Sequence, residues 1–183
     1  MSKKKFISEV FKSTGTIGAL SPSSSFLAKK MLEPIQFNNA KCFVEYGPGT
    51  GVFTHKLLEK MDSDAILLAF EINPVFIEEL HKINDKRLII INDSAEKIEE
   101  YLEKHNQKSA NYIVSSLPFA MIPDEVVHNI LTNSDTMLSE EGKYIQFQYS
   151  LNAKKKLESY FSKVHINFTL LNLPPAFVYV CEK

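Results

Sequence analysis

Stretches of unbroken apolar sequence, each followed by a helix-forming stretch, constrain this chain more than any other feature. Residues 65–71 (Ala-Ile-Leu-Leu-Ala-Phe-Glu) and 87–91 (Arg-Leu-Ile-Ile-Ile) are continuous rather than alternating. That pattern marks strands covered on both faces, as in a parallel sheet flanked by helices. The expected strands are 41–45, 65–71, 87–91, 111–115 and 143–149. Helices are expected after Gly51 to about Met61, from Asn73-Pro74, over 94–104 and 124–138, and from Lys154 to about Ser162. Glu141-Gly142 reads as the turn into the fifth strand. Two last strands, 164–171 and 176–181, are joined by Asn172-Leu-Pro-Pro175. This connection is too short for a parallel crossover, so the pair must be antiparallel. The fold class is therefore α/β: seven strands, mostly parallel, with a C-terminal antiparallel hairpin and helices on both faces.

Length and composition fit that fold. At 183 residues, against roughly 150 per domain, one domain is expected. Apolar and charged fractions of 44 % and 23 % are those of a globular chain. Cys42 and Cys181 form neither a disulfide framework nor a metal pattern, so no metal is expected and neither thiol is given a role. The N-terminal lysines lead into no h-region or cleavage site, which points to a cytoplasmic protein without a secretory signal.

Residues 1–35 carry a net +4 and the rest of the chain −5, summing to the overall −1. Within this arm, residues 3–12 place Phe6, Ile7, Val10 and Phe11 against lysines, the pattern of a short basic amphipathic helix. It could dock on an anionic membrane or pack on the domain. Residues 14–25 read as a loop and 26–32 as a second helix. The expected division is an arm or cap over 1–35 and the main domain over 36–183. The single arginine, Arg87, leaves a nucleic-acid surface poorly equipped, because the guanidinium fork is the preferred group for phosphate and guanine.

The stretch Glu45-Tyr-Gly47-Pro-Gly49-Thr-Gly51 lies between the first strand and its helix. Glycines there let the backbone approach a ligand closely. Twenty residues beyond Gly51, Glu71 ends the second strand and can accept hydrogen bonds from both ribose hydroxyls. Asp93-Ser94 ends the third, where a carboxylate can accept from an adenine amino group. All three sites share the carboxyl edge, where open parallel sheets bind ligands.

On these residues the sequence resembles the class I S-adenosylmethionine-dependent methyltransferases, with their Rossmann-like fold. The resemblance implies S-adenosylmethionine as cofactor, S-adenosylhomocysteine as product, and Glu45, Gly47, Gly49, Gly51, Glu71, Asp93, Ser94 and Ser116 as cofactor-binding positions. Glu45 would suit the sulfonium and amino groups of the cofactor. Ser116-Leu-Pro-Phe119 resembles the N-L-P-[YF] motif of ribosomal RNA adenine dimethyltransferases, with serine in place of the asparagine that holds the target amine. A closer resemblance is to bacterial phospholipid N-methyltransferases. It is carried by residues 18–24, 45–51, 116–119, Gln146-Phe-Gln-Tyr149 and 171–180. It implies N-methylation of phosphatidylethanolamine at a membrane surface. Ser116 and Tyr149 are then the candidate catalytic residues, and Phe119 and Tyr149 would contact substrate. Two other readings stay open: a methyltransferase for RNA adenine or a soluble amine, and a cofactor-binding module without catalysis.

Overall fold

A computed structural model of the chain describes residues 24–170 and 174–183, so the expected helix at 3–12 and most of the loop at 14–25 lie outside the described residues. Helix α1 (Ser24–Leu32) leads in, and strand β1 (Cys42–Tyr46) starts the alternation. It continues through α2 (Val52–Leu58), β2 (Ile66–Phe70), α3 (Pro74–Leu80), β3 (Leu88–Ile91), α4 (Ile98–Lys104), β4 (Ala110–Ser115) and α5 (Asp124–Met137). Strand β5 (Leu138–Gln148), the short α6 (Lys154–Leu157), β6 (Lys163–Thr169) and β7 (Ala176–Glu182) complete it.

The seven strands form one sheet of order β3-β2-β1-β4-β5-β7-β6. The first five are parallel, and β7 runs antiparallel between β5 and β6. The expected α/β sheet with its antiparallel C-terminal hairpin is what forms. Alternate residues of each strand feed two cores. Val44, Tyr46, Leu68, Ile113 and Tyr144 meet Ile98 and Leu102 of α4 and Val127 and Leu131 of α5. Phe43, Leu67, Val114 and Ile145 meet Leu27 and Met31 of α1 and Phe53 and Leu57 of α2. Complete burial of a Leu or Phe side chain stabilises by roughly 1.5–3 kcal/mol, so both helical layers are needed to cover the sheet.

Three expectations need correction. β3 is an edge strand whose first three residues are only half-buried, because nothing pairs with its outer side. The helix expected at 94–104 begins as a 3-10 turn over Ala95–Lys97, capped by the Ser94 hydroxyl, before becoming α-helical at Ile98. Glu141-Gly142 is not a turn before β5 but lies inside it. The strand starts at Leu138, directly after α5, and its pairing jumps from Ala110↔Leu138 to Tyr112↔Lys143. This bulge is where Gly142 is required, since a Cβ there would stand 2.9 Å from both the Asn111 carbonyl oxygen and the Leu138 side chain.

Arg87 also has a structural assignment. Its guanidinium donates to the carbonyls of Leu58 and Met61 at 2.7 Å, closing the C-terminal end of α2, and pairs with Asp85 at 2.6 Å. The carbonyl-rich end of a helix favours such a cation.

Gly142→Ala forces a methyl group against backbone and should lower stability by about 1–3 kcal/mol, as expected for overpacking. Equilibrium urea denaturation against wild type measures it.

Candidate active site

The carboxyl ends of β1, β2, β3 and β4 converge on one cleft. Gly47, Glu71, Asp93 and Ser94 lie at its polar rim, and Ala95, Leu117, Ile122, Val126 and Ile130 make an apolar slot. Gly47, Gly49 and Gly51 have φ of 66°, 57° and 83°, in the left-handed region. No side chain is tolerated easily there, and at Gly49 the backbone faces open space where a ligand can approach. The Gly47 N–H donates to the Phe70 carbonyl at 3.0 Å and that of Ser116 to the Tyr46 carbonyl at 2.9 Å, so the loops after β1 and β4 continue the sheet's ladder.

Glu45 points toward α2 and is fully buried. One carboxyl oxygen accepts from the Thr54 hydroxyl at 2.7 Å, and the other, Oε1, takes no hydrogen bond. Burial pushes its carboxyl up to about 8, with the neighbouring Glu71 charge adding to the effect and the Thr54 hydrogen bond opposing it. An orphaned buried carboxyl oxygen beside a glycine loop is suited to a cationic or N–H-bearing ligand.

Glu71 is also buried, and burial raises its carboxyl, although three backbone N–H groups favour the ionised form. Ile72 and Asn73 donate to one oxygen at 2.9 Å, and Gly49 donates to the other at 3.1 Å. A carboxylate has about four lone-pair sites, so roughly one is left for a hydroxyl. Asp93 accepts from the Ser94 N–H at 2.8 Å and sits 3.0 Å from the Lys97 ammonium, with the Tyr101 hydroxyl at 3.4 Å. The Ser94 hydroxyl bonds Glu96, at 2.9 Å to its carboxylate, so its side chain organises the turn.

The Ser116-Leu-Pro-Phe119 stretch closes the slot. The Ser116 hydroxyl oxygen is buried and takes no hydrogen bond. Phe119 is 7 % exposed and packs in the core. Tyr149 is 48 % exposed just beyond β5, its ring edge-on to Phe147 at 5.6 Å. The cleft thus brings together Gly47, Glu71, Asp93 and Ser94, while Glu45, buried toward α2, and Ser116 are outside its lining. Tyr149 stands outside its lining. Two glutamines that the sequence analysis gave no role, Gln146 and Gln148, reach the same loop: each donates Nε2 to the Leu117 carbonyl, at 3.0 and 2.9 Å. Their i,i+2 spacing on a strand leading to the carboxyl edge was the available signal. Cys42 and Cys181 are buried, and burial raises both thiols, that of Cys42 to about 12. Among the described residues no group of His, Cys, Asp and Glu could hold a metal ion.

An apolar slot for a nucleobase, a carboxylate beside it for a ribose and an orphaned carboxyl oxygen at the glycine loop fit S-adenosylmethionine, and the sheet order fits a class I methyltransferase. The comparisons with known proteins agree. The chain belongs to the ribosomal RNA adenine dimethylase family, whose model matches residues 23–171. It is 26 % identical over 180 residues to the ornithine lipid N-methyltransferase of Singulisphaera acidiphila, covering 97 % of this chain and 94 % of that protein. Among solved structures it resembles a precorrin-6y C5,15-methyltransferase from Geobacter metallireducens, with TM-score 0.67 and 12 % identity over 86 % of this chain and 87 % of that one. It also resembles human methyltransferase-like protein 13 in complex with SAH, with TM-score 0.63 and 12 % identity over 90 % and 82 % of the two chains. The protein is an S-adenosylmethionine-dependent methyltransferase.

Glu45 makes stability depend on pH with a definite sign. Its folded-state value of about 8 lies above the ordinary 4.5, so the unfolded chain releases this proton first. Its contribution is therefore fully present below about pH 4.5 and lost as pH rises towards 8. Glu45→Gln should flatten that part of the stability profile in thermal melts from pH 5 to 9. Glu71→Ala removes a charged acceptor and should weaken S-adenosylmethionine binding by roughly 10–100-fold in calorimetry.

Proposed function

We propose that the protein N-methylates the amine of a phospholipid headgroup, phosphatidylethanolamine being the first candidate, at a membrane surface. The observation that carries this reading is a set of exposed apolar side chains at the carboxyl ends of the strands. Met121 after β4, Tyr149 and Leu151 after β5, and Phe168 and Leu170 at the end of β6 are 39 %, 48 %, 50 %, 49 % and 73 % exposed. All five lie just past the carboxyl end of β4 or β5, or at or just past that of β6. Exposed apolar side chains along the edge of the sheet that carries the site suit a lipid or partner surface better than a water-soluble substrate. The relation to an ornithine lipid N-methyltransferase supports the same substrate class. No helix among the described residues is long and apolar enough to cross a membrane, so contact would be peripheral, with residues 3–12 as a second, basic contact.

The cofactor supplies an electrophilic methyl group on a sulfonium. Glu71 and the slot of Ile122, Val126 and Ile130 would hold its nucleoside end, with Asp93 at the base. Glu45 would face its amino-acid end, and the closed loop at Leu117 would keep water from the line of transfer. The acceptor would be a neutral amine, which takes the methyl group as the cofactor leaves as the thioether, and the resulting ammonium would pass its surplus proton to solvent. Tyr149 would place its ring near the developing cation, a contact worth about 0.5–2 kcal/mol.

Family membership favours a second reading, methylation of adenine in RNA. Two features oppose it: Ser116 stands where that motif carries asparagine, and the chain's one arginine closes α2. Labelled S-adenosylmethionine offered with phosphatidylethanolamine vesicles and ribosomal RNA in parallel separates the two. Label is expected in the lipid phase; label in RNA alone overturns the lipid reading, and label in neither leaves a methyltransferase with another acceptor.

A further inference from the structure

The carboxylate that would meet the adenine amino group is held from behind by α4 and the turn that precedes it. Asp93, Lys97 and Tyr101 follow at four-residue intervals, about one helical turn each, so they stack on one side as the 3-10 turn winds into α4. The Lys97 ammonium lies 3.0 Å from Asp93 Oδ2, and the Tyr101 hydroxyl donates to the same oxygen at a longer 3.4 Å. The other oxygen, Oδ1, accepts the Ser94 N–H at 2.8 Å. Asp93 is buried and lines the cleft. Lys97 and Tyr101 do not line it, so they reach the ligand site only through what they touch.

The turn that carries Lys97 is itself fixed. The Glu96 carboxylate accepts from Asn129 Nδ2 at 2.8 Å, and the Glu96 carbonyl accepts from Asn133 Nδ2 at 2.7 Å. Both asparagines belong to α5, whose Val126 and Ile130 wall the same cleft. The Tyr101 ring stands edge-on to Phe70 at 5.5 Å, and Phe70 is part of the lining. Tyr101 therefore touches two groups that face the cleft, Phe70 by its ring and Asp93 by its hydroxyl. Glu100 also approaches the Lys97 ammonium, at 3.6 Å, but Asp93 is nearer. An ion pair with one exposed partner adds little to stability. Its effect here is different: donors converging on one carboxylate favour its charged form and limit its orientation.

We infer that Lys97 and Tyr101 are positioning residues for nucleobase selectivity: they hold the Asp93 carboxylate in the orientation that accepts from the exocyclic amino group of adenine. The inference rests on the placement of the adenine beside Asp93 and is independent of which amine receives the methyl group. A consequence follows from donor and acceptor chemistry. An amino group at C6 donates to a carboxylate, whereas the oxo group of hypoxanthine presents a second acceptor and is repelled. A carboxylate with several orientations would blur that contrast, and one held in place sharpens it.

The test titrates the full chain in a calorimeter with S-adenosylhomocysteine and with S-inosylhomocysteine, which carry an amino and an oxo group at C6. Wild type should prefer the adenosyl ligand by about 10-fold or more, as expected for a hydrogen bond to a charged group. Lys97→Met keeps the stem and removes the charge, and Tyr101→Phe keeps the ring on Phe70 and removes the hydroxyl. Each should weaken S-adenosylhomocysteine by about 3–10-fold and S-inosylhomocysteine by no more than about twofold, so that the preference narrows. Lys97→Arg, which keeps the charge, should retain most of it. In an Asp93→Asn background Lys97→Met should narrow the preference no further, because the lysine acts through the carboxylate. Equal losses on both ligands would make Lys97 and Tyr101 props of the fold and overturn the inference, as would a preference unchanged in both variants. A wild type that binds the two ligands equally would instead remove the adenine from Asp93, and the inference with it.

Discussion

The cleft depends on one carboxylate. Glu71 gathers the N–H groups of Ile72 and Asn73, which follow it, and of Gly49, which belongs to the loop after the neighbouring strand. Two loops that would otherwise move separately are fastened at a single buried group. Asn73 then caps α3, accepting from the Val75 N–H at 3.0 Å. The glycine loop can hold three left-handed residues because its middle is anchored in this way, and the nucleoside slot keeps its rim at the carboxyl ends of β1 and β2. Without that anchor the remaining side chains would still be present, but they would not face one another.

Polar groups left incomplete are concentrated at this end of the sheet. Glu45 Oε1 and the Ser116 hydroxyl are the buried side-chain oxygens without partners among the described residues. Buried polar groups are normally satisfied, and those that are not mark places where something else completes the structure. Arg87, Gln146 and Ser94 show the opposite condition, every strong group committed to the fold. The contrast separates residues that build the cleft from those that serve what enters it.

Much of this was legible in the sequence, for reasons that particular residues show. The apolar runs at 65–71 and 87–91 reported parallel pairing because a strand covered on both faces has no polar side to display. Glu71 and Asp93 were found because the ends of such strands lie on one edge. What escaped depended on contacts between distant parts of the chain. Gly142 resembles a turn residue, and only the Asn111 carbonyl across the sheet makes it a bulge. The edge position of β3 follows from strand order, which local pattern does not encode. The pinning of Gln148 required knowing that the Leu117 carbonyl stands opposite it.

The direct passage from α5 to β5 has a consequence for how such a chain can vary. Met137 ends the helix and Leu138 begins the strand, with no residue between them. The strand is locked by its pairing, so the helix has no slack at that end. Adding one residue within α5 would turn everything before it by about 100° and shift it about 1.5 Å along the axis. Val126 and Ile130, which wall the nucleoside slot, would rotate away from it. The residue count of α5 is therefore tied to the shape of the slot, and the helix acts as a ruler set from the start of β5.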